Sequence, residues 1–201
     1  MTGMFVVGLT GGIGCGKSYV ASMLAARGIP VYDSDSRAKL IMVTDPGIIG
    51  GLTGLVGKDL YKDGALDKNM LSGFMFGNDI NVKAVNAIVH PQVKRDFRNW
   101  ALNLEDKDFC VMESAILFES GFDSEVSYKV CVDAPYEVRI GRCLKRDNTT
   151  RDDVIKRMSN QMEQSAKCNL CDFVINNDGV ADLEKQIGQL IENVNKLINI
   201  Q

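Results

Sequence analysis

The chain of 201 residues has one histidine, His90, and one Cys-x-x-Cys pair, Cys168 and Cys171. With no second pair and no further histidine, a four-ligand zinc site is disfavoured. The two thiols read as small residues near a strand. There is no apolar run of the roughly 18 residues that cross a bilayer, so no membrane partner is expected. There is no excess of positive charge either. Lys+Arg number 23 against 26 Asp+Glu, a net charge of −3. Duplex-binding surfaces usually carry a basic surplus, so no nucleic-acid partner is expected. Met1 to Val7 lacks a basic stretch leading into a long apolar one, which argues against a secretory leader and for the cytoplasm. Six cysteines in that compartment are expected to be reduced thiols. Repeats and low-complexity segments are missing. The 45% apolar and 24% charged fractions fit a folded domain.

What is present is an alternation of short apolar runs and longer helical patterns. Strands are expected at 5–9, 29–32, 109–112, 128–132 and 173–175. All are apolar without strict alternation, as in strands covered on both faces of a parallel sheet. The fold class is α/β, three layers around a parallel five-stranded sheet. A helix is expected from Ser18 to Ala26, closed by Gly28. Leu183, Ile187, Leu190, Ile191, Val194, Leu197 and Ile198 form one stripe of a final helix that covers a sheet face. The chain reads as one domain with its core at 4–35, 108–134 and 169–201. Between the core segments lie insertions of about 36–107 and about 135–168, suited to substrate contacts and a lid. The first holds Gly47, Gly50, Gly51, Gly54 and Gly57, read as a glycine-rich loop. The second is rich in charge.

Gly11-Gly12-Ile13-Gly14-Cys15-Gly16-Lys17-Ser18 fits G-x-x-x-x-G-K-[ST], after a strand and before a helix. Backbone N–H groups must wrap a phosphate closely, and side chains would collide with it. Lys17 places a cation near the β- and γ-phosphates, the Ser18 hydroxyl suits Mg²⁺, and the helix points its positive end at the anion. Cys15 reads as a tolerated small residue in the loop, although a thiol beside a lysine and a helix start can also be acidified.

No glycine has an aspartate three positions before it, so the Asp-x-x-Gly of a switch GTPase is missing. The third strand ends Met112-Glu113-Ser114 with a single acid rather than the pair of an ATPase motor, which suits a small kinase. Asp33 and Asp35 follow the second strand, and strand ends in such a sheet line the ligand crevice. At least one is a candidate functional carboxylate; Asp35 could also cap the helix from Ser36. Arg139, Arg142 and Arg146 recur on one helical face and suit an arginine-bearing lid that closes on ATP.

Six ordered motifs resemble those of the dephospho-CoA kinase family. They are Gly8 to Ser18, with Leu9-Thr10 and Ile13; Asp33-Ser-Asp35; Asn86 to Pro91 with His90; Ile116-Leu-Phe-Glu119; Val132 to Asp147 with Arg157 and Gln161; and Asp172 to Gly179. Cys15, Tyr19, Ser34, Ser114 and Arg139 depart from that pattern, replacing Ser, Thr, Ala, Pro and Gln. The resemblance implies a P-loop kinase fold with a helical CoA-binding insertion and a helical lid. It implies transfer of the ATP γ-phosphoryl group to the ribose 3′-hydroxyl of dephospho-CoA, with Mg²⁺, by a monomer or small homo-oligomer. Asp35 would be the base, Lys17 and Arg142 the charge stabilisers, and Thr10 would lie near the phosphates. Gly12 to Tyr19, Arg142, Arg146 and Asn177 would bind the nucleotide. Asp33, Asp35, His90 and Glu119 would bind the acceptor.

Overall fold

The computed structural model describes Met4–Ile200. Met1–Gly3 and Gln201, and with them part of the stretch judged above for a leader, lie outside the described residues. The chain divides into two compact units. One comprises the described residues up to Asp33 together with those from Ala101 onward. The other is Ser34–Trp100.

The first unit is built on a five-stranded sheet. Its strands are β1 (Phe5–Thr10), β2 (Val31–Asp33), β5 (Phe109–Glu113), β6 (Tyr128–Asp133) and β7 (Phe173–Asn176), in the order β2-β5-β1-β6-β7. Every pairing is parallel. All five expected strands therefore form, each shifted or lengthened by a residue or two. Every residue of β1 and of β5 is buried, which explains why neither alternates polar with apolar. Helices α1 (Lys17–Ala25) and α9 (Leu183–Ile198) lie against one face. Val20, Ala21 and Leu24 of α1 and Ile187, Leu190 and Val194 of α9 share a core with Val7, Leu9, Val111, Val130 and Ile175. Each fully buried aliphatic side chain contributes about 1.5–3 kcal/mol. The Asp182 side chain accepts the Lys185 N–H and starts α9. After β6 come α6 (Tyr136–Asp147), α7 (Arg151–Ser159) and α8 (Gln164–Asn169). Ile140, Cys143 and Val154 of α6 and α7 pack around Ile13 of the glycine-rich loop.

The second unit holds α2 (Ser34–Thr44), α3 (Pro46–Val56), a short hairpin of β3 (Tyr61–Lys62) and β4 (Ala65–Leu66), then α4 (Lys68–Met75) and α5 (Asp79–Leu102). Two expectations are corrected here. The glycine-rich stretch is a helix rather than a loop. The Asp45 side chain accepts the N–H groups of Gly47 and Ile48, Pro46 occupies the first helical position, and Ile48 and Leu52 are buried. Gly51 faces Ile88 so closely that an added Cβ would meet it at 3.0 Å, so close packing offsets the poor helix propensity of glycine. Asp35 is not the cap of a helix from Ser36. The helix starts at Ser34, which puts Asp35 in its first turn.

Candidate active site

The C-terminal ends of the parallel strands converge on the loop Gly11–Gly16. Thr10 ends β1, Asp33 ends β2, Glu113 ends β5 and Asp133 ends β6. Asp33 and Glu113 are in register on neighbouring strands. Asn177 follows β7 and donates its N–H to the Asp133 carbonyl at 2.7 Å.

The loop takes its shape from glycines in the left-handed region. Gly14 has φ of 80°, and an added Cβ would strike the backbone carbonyl of Arg139; Gly16 has φ of 88° and presses against the Asn177 amide. The Cys15 N–H closes a turn onto the Gly12 carbonyl at 3.2 Å. Helix α1 then begins with no side-chain cap. Among the described residues, the N–H groups of Gly14, Gly16 and Ser18 have no hydrogen-bond partner, and that of Lys17 faces the Cys15 thiol. Three unpaired donors at the positive end of a helix form an anion cradle.

Two features of this cradle stand outside the expected set. Lys17 Nζ donates to Glu113 Oε1 at 2.6 Å, and the Ser18 hydroxyl donates to the same oxygen at 2.7 Å. Both partners of the ion pair are nearly closed off from solvent. Glu113 was visible as the acid that ends an apolar strand, but its reach to the loop was not. Arg139, 7% exposed, donates from Nε to the Ile13 carbonyl at 3.0 Å and lays its guanidinium against Gly12.

Most residues expected at the nucleotide are here. Arg142 donates to the Cys15 carbonyl at 3.2 Å and to Asn177 Oδ1 at 3.3 Å; Asn177 Nδ2 donates to that same carbonyl at 2.8 Å. Tyr19 is exposed on the first turn of α1. Thr10 is fully buried, and its hydroxyl has no partner among the described residues.

Others are engaged elsewhere. Arg146 makes a two-pronged pair with Asp147, and Arg157 donates to the same carboxylate at 2.9 Å. These guanidiniums, Arg146 first, hold the Asp147 carboxyl well below the usual carboxylate range. Glu119 accepts from Lys167 Nζ at 2.9 Å and from the Met162 N–H at 2.9 Å. Lys167 is completely buried and also donates to the Ala115 carbonyl. Asp35 in α2 and His90 in the middle of α5 belong to the second unit.

The alternative of an acidified Cys15 thiol does not hold. Burial outweighs the pull of the Lys17 N–H and charge, and pushes the Cys15 thiol up to about 11. All six cysteines are free, with Cys131 Sγ and Cys168 Sγ 3.1 Å apart. Among the described residues no group of three or more His, Cys, Asp or Glu side chains is placed to hold a metal. The Ser18 hydroxyl and Glu113 carboxylate are adjacent hard oxygens, a donor set that suits Mg²⁺, which retains waters and phosphate oxygens as its other ligands.

Residues 5–182 match the family model of dephospho-CoA kinase (CoaE). The chain is 44% identical to a dephospho-CoA kinase of Bacteroides fragilis (strain YCH46), covering 92% of this chain and 90% of the relative. It is 42% identical to one of Porphyromonas gingivalis, covering 95% of each. Among solved structures it is similar to TT1252 from Thermus thermophilus, with a TM-score of 0.82, 29% identity, and 95% and 96% of the two chains covered. A shikimate kinase from Bacteroides thetaiotaomicron shares the fold, with a TM-score of 0.53, 15% identity, and 96% and 99% of the chains covered.

Proposed function

This chain belongs to the dephospho-CoA kinase family, and from that premise we infer that it transfers the γ-phosphoryl group of ATP to the ribose 3′-hydroxyl of dephospho-CoA. The products are CoA and ADP, the last step of CoA synthesis. The observation that carries the reading is the anion cradle, with unpaired N–H groups at Gly14, Gly16 and Ser18 and the buried Lys17 ammonium beside them.

The residues take the following roles in this reading. The loop N–H groups of Gly12 to Tyr19 not already bonded within the protein receive the phosphates. Lys17 leaves Glu113 for the β- and γ-oxygens, so its ammonium exchanges one anionic partner for another and is never left alone in a buried site. Arg142 moves from the Cys15 carbonyl to the transferring group, and Asn177 stays as the wall beside the nucleotide. Arg146 follows on the same helix face as the lid closes. Thr10 supports the loop at its base. The Ser18 hydroxyl and the Glu113 carboxylate would hold Mg²⁺ together with phosphate oxygens. Bound there, the ion offsets phosphate charge.

Asp35 is the base in this scheme. The 3′-oxygen forms a bond to the γ-phosphorus, the bond from that phosphorus to the ADP oxygen breaks, and the hydroxyl proton passes to the Asp35 carboxylate. Asp33 and His90 contact the acceptor within a CoA-binding insertion of about 36–107. Glu119 acts on it only through the segment it holds. The enzyme works in the cytoplasm on two small molecules, as a monomer or small homo-oligomer, without nucleic acid or a membrane surface. The net charge of −3 supports the reading without nucleic acid.

The test is an acceptor panel with ATP and Mg²⁺. CoA formation from dephospho-CoA is expected. No turnover of it alongside brisk phosphorylation of a nucleotide would overturn the assignment.

A further inference from the structure

Where β1 and β6 part, a side chain takes over from the strand ladder. The last registered pair of these strands is Thr10 with Cys131. Beyond it the glycine loop diverges from β6, and the amide of Gln164, the first residue of α8, enters the gap. Its Oε1 accepts the Gly12 N–H at 2.8 Å. Its Nε2 donates to the Val132 carbonyl at 3.0 Å and to Asp133 Oδ1 at 2.9 Å.

The carboxamide therefore behaves as one added peptide unit, accepting from β1's continuation and donating to the end of β6. Only one orientation satisfies the site. Turned over, its NH₂ would face the Gly12 N–H, and its oxygen would face a carbonyl and a carboxylate. Ile13 is held in the same manner. Gln161 Oε1 accepts its N–H at 2.9 Å, and Arg139 Nε donates to its carbonyl at 3.0 Å. The N–H groups of Gly12 and Ile13 are thus engaged by side chains, while those of Gly14, Gly16 and Ser18 are left for an anion.

From this division of the loop we infer that Gln164 is a positioning residue for the nucleotide. Its amide fixes Gly12 against the end of β6, which sets where the free N–H groups that follow point. The inference rests on reading the loop as the ATP site. It predicts that losing the bridge weakens ATP binding and leaves the acceptor alone.

Two variants test it. Gln164→Leu removes both ends of the bridge at similar volume. Gln164→Glu keeps an acceptor for Gly12 but sets a carboxylate against Asp133. MgATP binding is measured by calorimetry with no acceptor present, beside melting temperature and the KM of each substrate. For Gln164→Leu the ATP dissociation constant and KM are expected to rise about tenfold, with the KM for dephospho-CoA within about twofold of wild type. For Gln164→Glu the affinity is expected to be low near about pH 8 and to recover toward wild type near about pH 6, where the protonated acid both accepts and donates. A purely structural role would lower the melting temperature while folded protein bound MgATP as wild type does, independent of pH relative to wild type; that result overturns the inference. If Gln164→Leu does not fold, the pH series of Gln164→Glu decides alone. Since binding is read without acceptor, failure of the wild type to make CoA would count against the kinase assignment and not against this one.

Discussion

Lys17 Nζ lies 2.6 Å from Glu113 Oε1, and neither side chain is more than 10% exposed. Removing one member of such a pair leaves a buried charge without its counter-ion. Glu113→Ala is expected to lower the nucleotide-free unfolding free energy by about 3 kcal/mol in urea titration. A loss under about 1 kcal/mol would mean that the ammonium finds solvent at little cost, and that Glu113 does not hold it in wait for phosphate.

Asp35→Asn separates proton transfer from binding. The amide keeps the shape of the side chain but accepts no proton. Turnover is expected to fall more than about 100-fold while the MgATP dissociation constant stays within about threefold. Full activity in this variant would remove Asp35 from its assigned role.

The sheet and the cradle were legible because their signals are local. Five apolar runs mark buried strands, and the loop declares itself through Gly14, Gly16, Lys17 and Ser18 within a few residues. The errors have physical causes. The glycines of α3 suggested a loop, yet the Asp45 cap, Pro46 and the buried Ile48 and Leu52 outweigh their low propensity. The alternative of an acidified Cys15 stood open because burial is not readable from neighbours in sequence. Gln164 meets Gly12 across 152 positions, and no pattern of residue types announces such a contact. Glu113 lay between these extremes. Its place at a strand end was plain, its two donors were not.

The glycines of the loop are expected to rank by what an added Cβ meets. At Gly14 it meets the Arg139 backbone at φ of 80°, so neither strain nor clash can relax. At Gly12 it meets the tips of Arg139 and Gln164, the latter at 2.8 Å, which can retreat. At Gly28, with φ of 78°, it meets nothing within 4 Å. Gly14→Ala should abolish measurable MgATP binding, Gly12→Ala should weaken it, and Gly28→Ala should leave it unchanged while costing about 1 kcal/mol of stability. Equal effects at Gly12 and Gly14 on calorimetric affinity would contradict this ranking.

Cys15 should be slow to alkylate despite its place in the loop. A thiol at about 11 is roughly one-thousandth thiolate at about pH 8, and it is 1% exposed. Mass-spectrometric labelling with iodoacetamide is expected to reach Cys15 in urea long before it does so in the native protein. Rapid native labelling would show that the loop opens.

His90 offers a clean pH experiment because it is the one histidine in the chain. Desolvation, and then the Lys94 charge four residues on, lower its pKa below the ordinary 6.5. The unfolded chain therefore takes up this proton at a higher pH than the folded one. The stability it contributes is complete above about pH 6.5 and is lost as the pH falls below that value toward the lowered folded pKa. Glu137, Asp153, Glu163 and Asp178 have lowered carboxyl pKa values, so their contributions fade only below about pH 4.5, under the window of His90. Urea unfolding at about pH 7.5, 6.5 and 5.5 should show declining stability in the wild type and a flatter profile in His90→Gln. Parallel profiles would mean that the imidazole is not held neutral by its surroundings. The same shift bears on the proposed role of His90 at the acceptor: near neutral pH it would act there as an uncharged imidazole, able to donate one hydrogen bond and accept another, and not as a cation for a phosphate.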